Sequence, residues 1–356
     1  MAGGFNRSRK GYGTEKLIFA LYTEQKRENN MNKKIEGSIF APETAEALHR
    51  GLSVKRANLF YLIHTVLALG LSAIRIPGLP VTWVPLIYYT PLPGVAYLLC
   101  RKEGKPMGPA FGFRRVKPLT VVLTIVTCTA MRSVAHLISS LTNVLFPSFF
   151  EAAGGTMLGG SFLVNFVGVA MIPVFFEEFV VRGGMLNSYI GTGRLRAGIL
   201  LTALLFGLQH MNVTQLFYAF VVGIVMGLLF VLTDSIWPGI LFHFLNNALA
   251  PVSEVLEARF GTEFVQNYLF PFARGISDPK SALVTVSAAV IGLVITVLCL
   301  RGIARCEGSW EKLRLSVRGG GGTAKLVTPA LIIALVLMLV MTGATTYALV
   351  ARLMSA

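Results

Sequence analysis

Charge is what this sequence has least of. Asp, Glu, Lys and Arg make up 14% of the 356 residues, whereas soluble proteins carry about 25%. So few charges cannot coat the surface of a soluble chain of this length. Acidic residues are the scarcer sign, 17 against 32 basic ones. Cysteine is nearly absent: the four residues Cys100, Cys128, Cys299 and Cys306 include no Cys-x-x-Cys pair and lie in or beside apolar runs. They therefore exclude a disulfide framework and a thiolate metal centre. No internal repeat of usable quality is present, which removes solenoid architectures. What remains is apolar material, 54% of the chain, and it points to an all-α, polytopic transmembrane helix bundle.

A helix needs about 20 mostly apolar residues to cross the hydrocarbon core. Nine stretches approach that length, at 58–74, 81–100, 118–146, 161–181, 197–210, 216–232, 236–250, 283–300 and 326–350. With the N-terminus in the cytoplasm, the inner segments carry the basic excess. Eleven Lys/Arg face six Glu over 1–57, six face one acid over 101–117, and six face two over 301–325. The longest outer segment, 251–282, has three basic against four acidic residues. Such one-sidedness is the positive-inside pattern. It accounts for the net charge of +15 by the bilayer, and no nucleic-acid partner is expected. The chain accordingly divides into a basic cytoplasmic segment (1–57), N-terminal membrane helices (58–160), a core of helices (161–250), an outer loop (251–282) and two C-terminal membrane helices (283–356). The long polar, basic stretch before the first span does not read as a cleavable signal.

Against this background the ionisable residues inside spans stand out: His64, Arg132, His136, Glu177, Glu178, Arg182, His210 and His243. A central charge costs about 2.5–3.5 kcal/mol on an insertion scale, so these residues face protein or water and are functional candidates by default. His64 reads most simply as a histidine bonded to a neighbouring helix, and Arg132 with His136 as a buried structural pair. Glu178 and Arg182, four apart, share a helix face with the favourable polarity. Arg182 therefore neutralises Glu178, while Glu177 points about 100° away. If that helix runs to Ile190 and the next starts at Ala197, Glu177 and His210 stand equally far from the turn and at matching depth. On the following helix but one, His243, Asn246 and Asn247 share a face.

A carboxylate, two imidazoles and a carboxamide at one depth support two chemistries. In one, Glu177 and His210 activate water while His243 and Asn247 hold a developing oxyanion. In the other, Glu177, His210 and His243 ligate a divalent metal such as zinc. Asparagine is an uncommon zinc ligand and a good oxyanion donor, which favours the version without a cofactor.

The segment Glu177-Glu178-Phe179-Val180-Val181-Arg182 resembles the Glu-Glu-x-x-x-Arg motif of the CPBP intramembrane proteases, a family that includes type II CAAX prenyl endopeptidases and bacteriocin-processing and self-immunity proteins. Phe206 to His210 is similar to its Phe-x-x-x-His motif, and His243 to Asn247 to its His-x-x-x-Asn motif. The three occur in order within about 75 residues. The resemblance covers roughly residues 160–250. It implies an intramembrane endopeptidase acting on membrane-associated peptides or protein C-termini, in a multi-pass chain whose expected location is a bacterial plasma membrane. By position it implies Glu177 as the base, His210 as its assistant, His243 and Asn247 as oxyanion donors, and Glu178 with Arg182 as the supporting pair. Gly239 departs from a proline frequent in relatives, a change expected to bear on the helix start and not on the chemistry. The alternatives are a non-catalytic immunity or scaffold protein of the same fold and a proton-coupled transporter. The transporter predicts inverted repeats and broken helices in matching halves, which the sequence lacks.

Overall fold

A computed structural model of the chain describes residues 50–72, 83–146, 161–265, 269, 275–319 and 322–354. Expectations that concern residues 1–49 and 147–160 lie outside these. Among the described residues there is no strand. Among the described residues the helices of four residues or more are α1 (Val54–Ser72), α2 (Val84–Tyr89), α3 (Leu92–Lys102), α4 (Met107–Ala110), α5 (Pro118–Leu145), α6 (Phe162–Ile190), α7 (Leu195–Leu208), α8 (Val213–Thr233), α9 (Trp237–Phe260), α10 (Pro279–Glu307), α11 (Trp310–Arg318) and α12 (Pro329–Met354). The protein is an all-α integral membrane bundle.

Five of these, α5, α6, α8, α10 and α12, have the length and apolar composition of membrane spans. The nine expected stretches differ from these helices in three places. The stretch 81–100 is broken, α2 giving way to α3 at Thr90 and Pro91, because proline supplies no N–H to continue the ladder. The fifth stretch is as short as expected but lies two residues earlier: α7 ends at Leu208, Met211 turns with φ +54°, and the Asn212 side chain caps α8 by accepting from the Gln215 N–H at 2.8 Å. The seventh stretch is longer, α9 running through Pro251 to Phe260.

Helix starts follow ordinary local rules. Pro118, Pro279 and Pro329 open α5, α10 and α12, the position where a missing N–H costs nothing. Asp278 caps α10 through the N–H groups of Lys280 and Ser281 at 3.0 and 3.1 Å. At the other end of α8, Asp234 adopts φ +51° and reverses the chain into α9. That turn is tied down from α4's loop, where Ser235 Oγ donates to the Arg114 carbonyl at 2.6 Å and the Ile236 N–H to the Gly112 carbonyl at 2.9 Å.

Without a hydrophobic drive between helices in lipid, association rests on close packing and on polar links. Asn58 of α1 donates to the Leu326 carbonyl at 2.8 Å and accepts from the Tyr189 hydroxyl at 2.5 Å. Tyr61 donates to the Leu205 carbonyl at 3.0 Å. Ser133 of α5 reaches the Ala288 carbonyl of α10 at 2.9 Å. On the outside, Val290, Ile291, Val294 and Leu298 of α10 and Val336, Leu339 and Val340 of α12 are exposed, the apolar faces a bilayer covers.

The segments assigned to the basic side are joined to one another at one end of the bundle. Arg114 and Lys312 both pair with Asp234, at 3.3 and 2.6 Å, and Thr120 donates to Glu307 at 2.5 Å. Arg194 donates to the Ala324 carbonyl at 3.0 Å. The segments 101–117, 191–196, 233–235 and 301–325 thus meet on one side, as alternating helices require.

Candidate functional site

The central element is α6, which is not a uniform α-helix. Phe166–Met171 and Phe179–Leu186 are π-helical, flanking an α-helical stretch Ile172–Glu178. Such wide turns are rare and concentrate at functional sites. Glu177 and Glu178 close the α-helical stretch, and Arg182 lies in the second wide segment. The helix can approach its neighbours here because a Cβ on Gly183 would meet the Phe111 ring at 2.9 Å.

Glu178 and Arg182 are fully buried and paired, Arg182 Nη1 to Glu178 Oε1, at 2.8 Å. Arg182 also donates from Nη2 to the Gly223 carbonyl of α8 at 3.1 Å and lies 4.4 Å from the centre of the Phe206 ring. The guanidinium thereby pins α6 to α7 and α8. From α9, His243 Nδ1 approaches the same Glu178 Oε1 at 3.1 Å. With Nδ1–H donating to the carboxylate, His243 turns Nε2 the other way, to 3.9 Å from Glu177 Oε2. That separation exceeds a hydrogen bond and suits one water bridging off the axis.

Glu177 is held from two further sides. Tyr89 of α2 donates its hydroxyl to Oε1 at 3.2 Å, and Gln209 donates Nε2 to Oε2 at 2.8 Å. Neither contact was expected from the sequence. Gln209 carried a signal, its place beside His210 in the motif; Tyr89 carried none, because nothing in a single sequence pairs a tyrosine with a glutamate 88 positions on. His210 Nδ1 bonds the Phe206 carbonyl at 2.9 Å, which assigns the proton to Nδ1 and leaves Nε2 as an acceptor. Both histidine rings meet Phe206 edge-on, with centroids at 5.3 Å for His210 and 5.2 Å for His243. Asn247 donates Nδ2 to the Val169 carbonyl in the first wide segment of α6 at 3.3 Å and accepts from Asn246 at 3.3 Å.

The structure thus brings Glu178, Arg182 and His243 into direct contact, sets Glu177 3.9 Å from His243, and places His210 in the turn after α7 and Asn247 on α9. His64 departs from its expected role. It makes no hydrogen bond through its buried Nδ1 and instead stacks on Tyr89, centroids 6.0 Å apart and planes within 12°. Tyr89 in turn stacks on Phe176 at 4.9 Å. Arg132 and His136 lie on α5, which meets α9 where the Cys128 thiol reaches the Phe242 carbonyl at 3.3 Å.

Gly239 also departs from expectation. A Cβ at this position would sit 2.6 Å from Glu178 Oε2, so the glycine admits the buried carboxylate to α9 and bears on the site itself. The zinc alternative fits poorly. Both oxygens of Glu177 accept hydrogen bonds from Tyr89 and Gln209, His243 spends Nδ1 on Glu178, and among the described residues no three His, Cys, Asp or Glu side chains are grouped to hold a metal.

Residues 159–249 match the family described as type II CAAX prenyl endopeptidase Rce1-like. The match spans every side chain of the cluster except Tyr89. It supports a CAAX-type intramembrane protease domain in this part of the chain. Neither curated proteins nor solved structures give a match.

Proposed function

We propose, with the Rce1-like segment as premise, that the protein hydrolyses peptide bonds in membrane-associated peptides or protein C-termini and that Glu177 is its base. The observation that carries this reading is the position of Glu177, hydrogen-bonded by Tyr89 and Gln209 and facing His243 Nε2 across 3.9 Å.

Water placed in that gap loses a proton to Glu177, with His210 Nε2 as the second acceptor, as its oxygen attacks the peptide carbonyl carbon. The carbonyl oxygen becomes the oxyanion. His243, held through Nδ1 by Glu178, donates from Nε2 in its doubly protonated form, and Asn247 offers the N–H that Val169 does not use. The proton taken by Glu177 then passes to the leaving nitrogen as the C–N bond breaks, yielding an amine and a carboxylic acid, which gives its proton to solvent and leaves as the carboxylate. Arg182 holds Glu178 in place through the 2.8 Å pair. No step requires a metal.

The test is cleavage of a peptide library by the protein in bilayers, with products identified by mass spectrometry, in the presence and absence of a chelator. Cleavage that is indifferent to the chelator is expected. Activity abolished by the chelator and restored by zinc would overturn the proposed mechanism.

A further inference from the structure

The turn between α6 and α7 and the end of α11 enclose an open cavity of about 250 Å³, lined by Arg194, Arg196, Ala197, Arg318 and Gly319. Three guanidinium groups surround it and no carboxylate lines it. Among the described residues none of the three forms an ion pair: Arg194 gives Nη1 to the Ala324 carbonyl at 3.0 Å and Arg196 gives Nη1 to the Val317 carbonyl at 3.5 Å. Those bonds fix two of the side chains by one arm each. A guanidinium has five N–H donors in a planar fork, so most of the donors here have no protein acceptor. Three like charges held together without a counter-charge repel one another, and the arrangement is stabilised only when an anion enters.

The cavity opens on the basic end of the bundle. α11 carries Trp310 and Val317 on its exposed side and Leu315 buried inside, the pattern of a helix lying along a membrane surface. Arginine forks match the oxygens of phosphate in pairs. The geometry points to a phosphate-binding site at this turn, formed by Arg194, Arg196 and Arg318 and taking a phosphate group such as the headgroup of an anionic phospholipid. The site is separate from Glu177 and does not depend on the proposed catalysis. It is built on the turn between α6, which carries Glu177, and α7, which His210 follows, so its occupancy fastens that hairpin to α11.

The experiment compares wild type, the double variant Arg196→Gln/Arg318→Gln and a control, Lys280→Gln, whose side chain is exposed at the far end of α10. Both arginines of the double variant are exposed, so folding is expected to survive, as thermal unfolding in phosphatidylcholine nanodiscs verifies. In nanodiscs containing a minor fraction of phosphatidylglycerol, native mass spectrometry should find phosphatidylglycerol retained by wild type and by the control. Affinity should fall about 30-fold in the double variant, as expected for two surface arginines. Inorganic phosphate added to pure phosphatidylcholine discs is the second arm. A rise in Tm for wild type and not for the double variant identifies free phosphate as a source, while retention of phosphatidylglycerol identifies the lipid. Equal behaviour of wild type and double variant toward both probes would overturn the proposal, as would an equal loss in the Lys280→Gln control.

Discussion

At the scale of single residues, Glu177 and Glu178 are neighbours in sequence with opposite circumstances. Glu178 has no exposure and two cationic or proton-donating partners; Glu177 retains 16% side-chain exposure and hydrogen bonds that orient it without neutralising it. Tyr89 is the most informative of its partners. Tyr89→Phe keeps the stack on Phe176 and removes one hydrogen bond to a carboxylate, so kcat/KM should fall about tenfold or more with Tm nearly unchanged. A parallel loss of Tm would make Tyr89 a packing residue only. Gly239→Ala is expected to behave in the reverse manner, forcing a Cβ against Glu178 and lowering stability by about 1–3 kcal/mol, read in denaturant or thermal unfolding. The three motifs were legible in the sequence because buried ionisable residues are rare in so apolar a chain. Tyr89 and the role of Gly239 were not, since each depends on which atom of another helix comes close.

At the scale of elements, helix spacing correctly put Glu178 and Arg182 on one face. It did not reveal the two π-helical segments of α6, the second of which sets Gly183 against Phe111, a contact with another part of the chain that helix spacing does not register. It also carried α7 past its real end. His210 sits in the turn that follows α7, and Gln209, one position earlier, takes the direct contact with Glu177. At the basic end, α1 and α3 are clamped by Glu103, which accepts from the Ser53 N–H at 3.0 Å and pairs with Arg56 at 2.8 Å. Burial alone would raise this carboxyl, but the bonds from Ser53 and Arg56 and the charge of Lys105 hold it below the usual carboxylate range. Its folded value lies under its unfolded one, so the clamp stabilises fully above the ordinary carboxylate pKa and weakens as pH falls through the depressed value. Unfolding measured from neutral to acid pH should show Glu103→Gln less stable near neutrality and converging with wild type in acid. A constant difference at all pH values would contradict this.

At the scale of the whole molecule, composition, basic-side bias and the all-helical bundle agree, and the ion pairs of Asp234 and the hydrogen bond of Thr120 to Glu307 are consistent with the alternation read from charge. Span number was the weaker inference, because a hydropathy run does not register a proline break or the polar extension of α9. The bundle carries its polar chemistry where α6, α7 and α9 meet, closed by α2 and by the Arg182 bond to α8. A single substitution addresses whether that junction is an active centre. Glu177→Gln preserves the size of the side chain and can still accept from Tyr89 or Gln209, but it cannot take a proton from water. In bilayers, on any peptide that wild type cleaves, the rate should fall by about 10²- to 10⁴-fold with the fold intact. Cleavage at the wild-type rate by Glu177→Gln would contradict the assignment of Glu177 as the base.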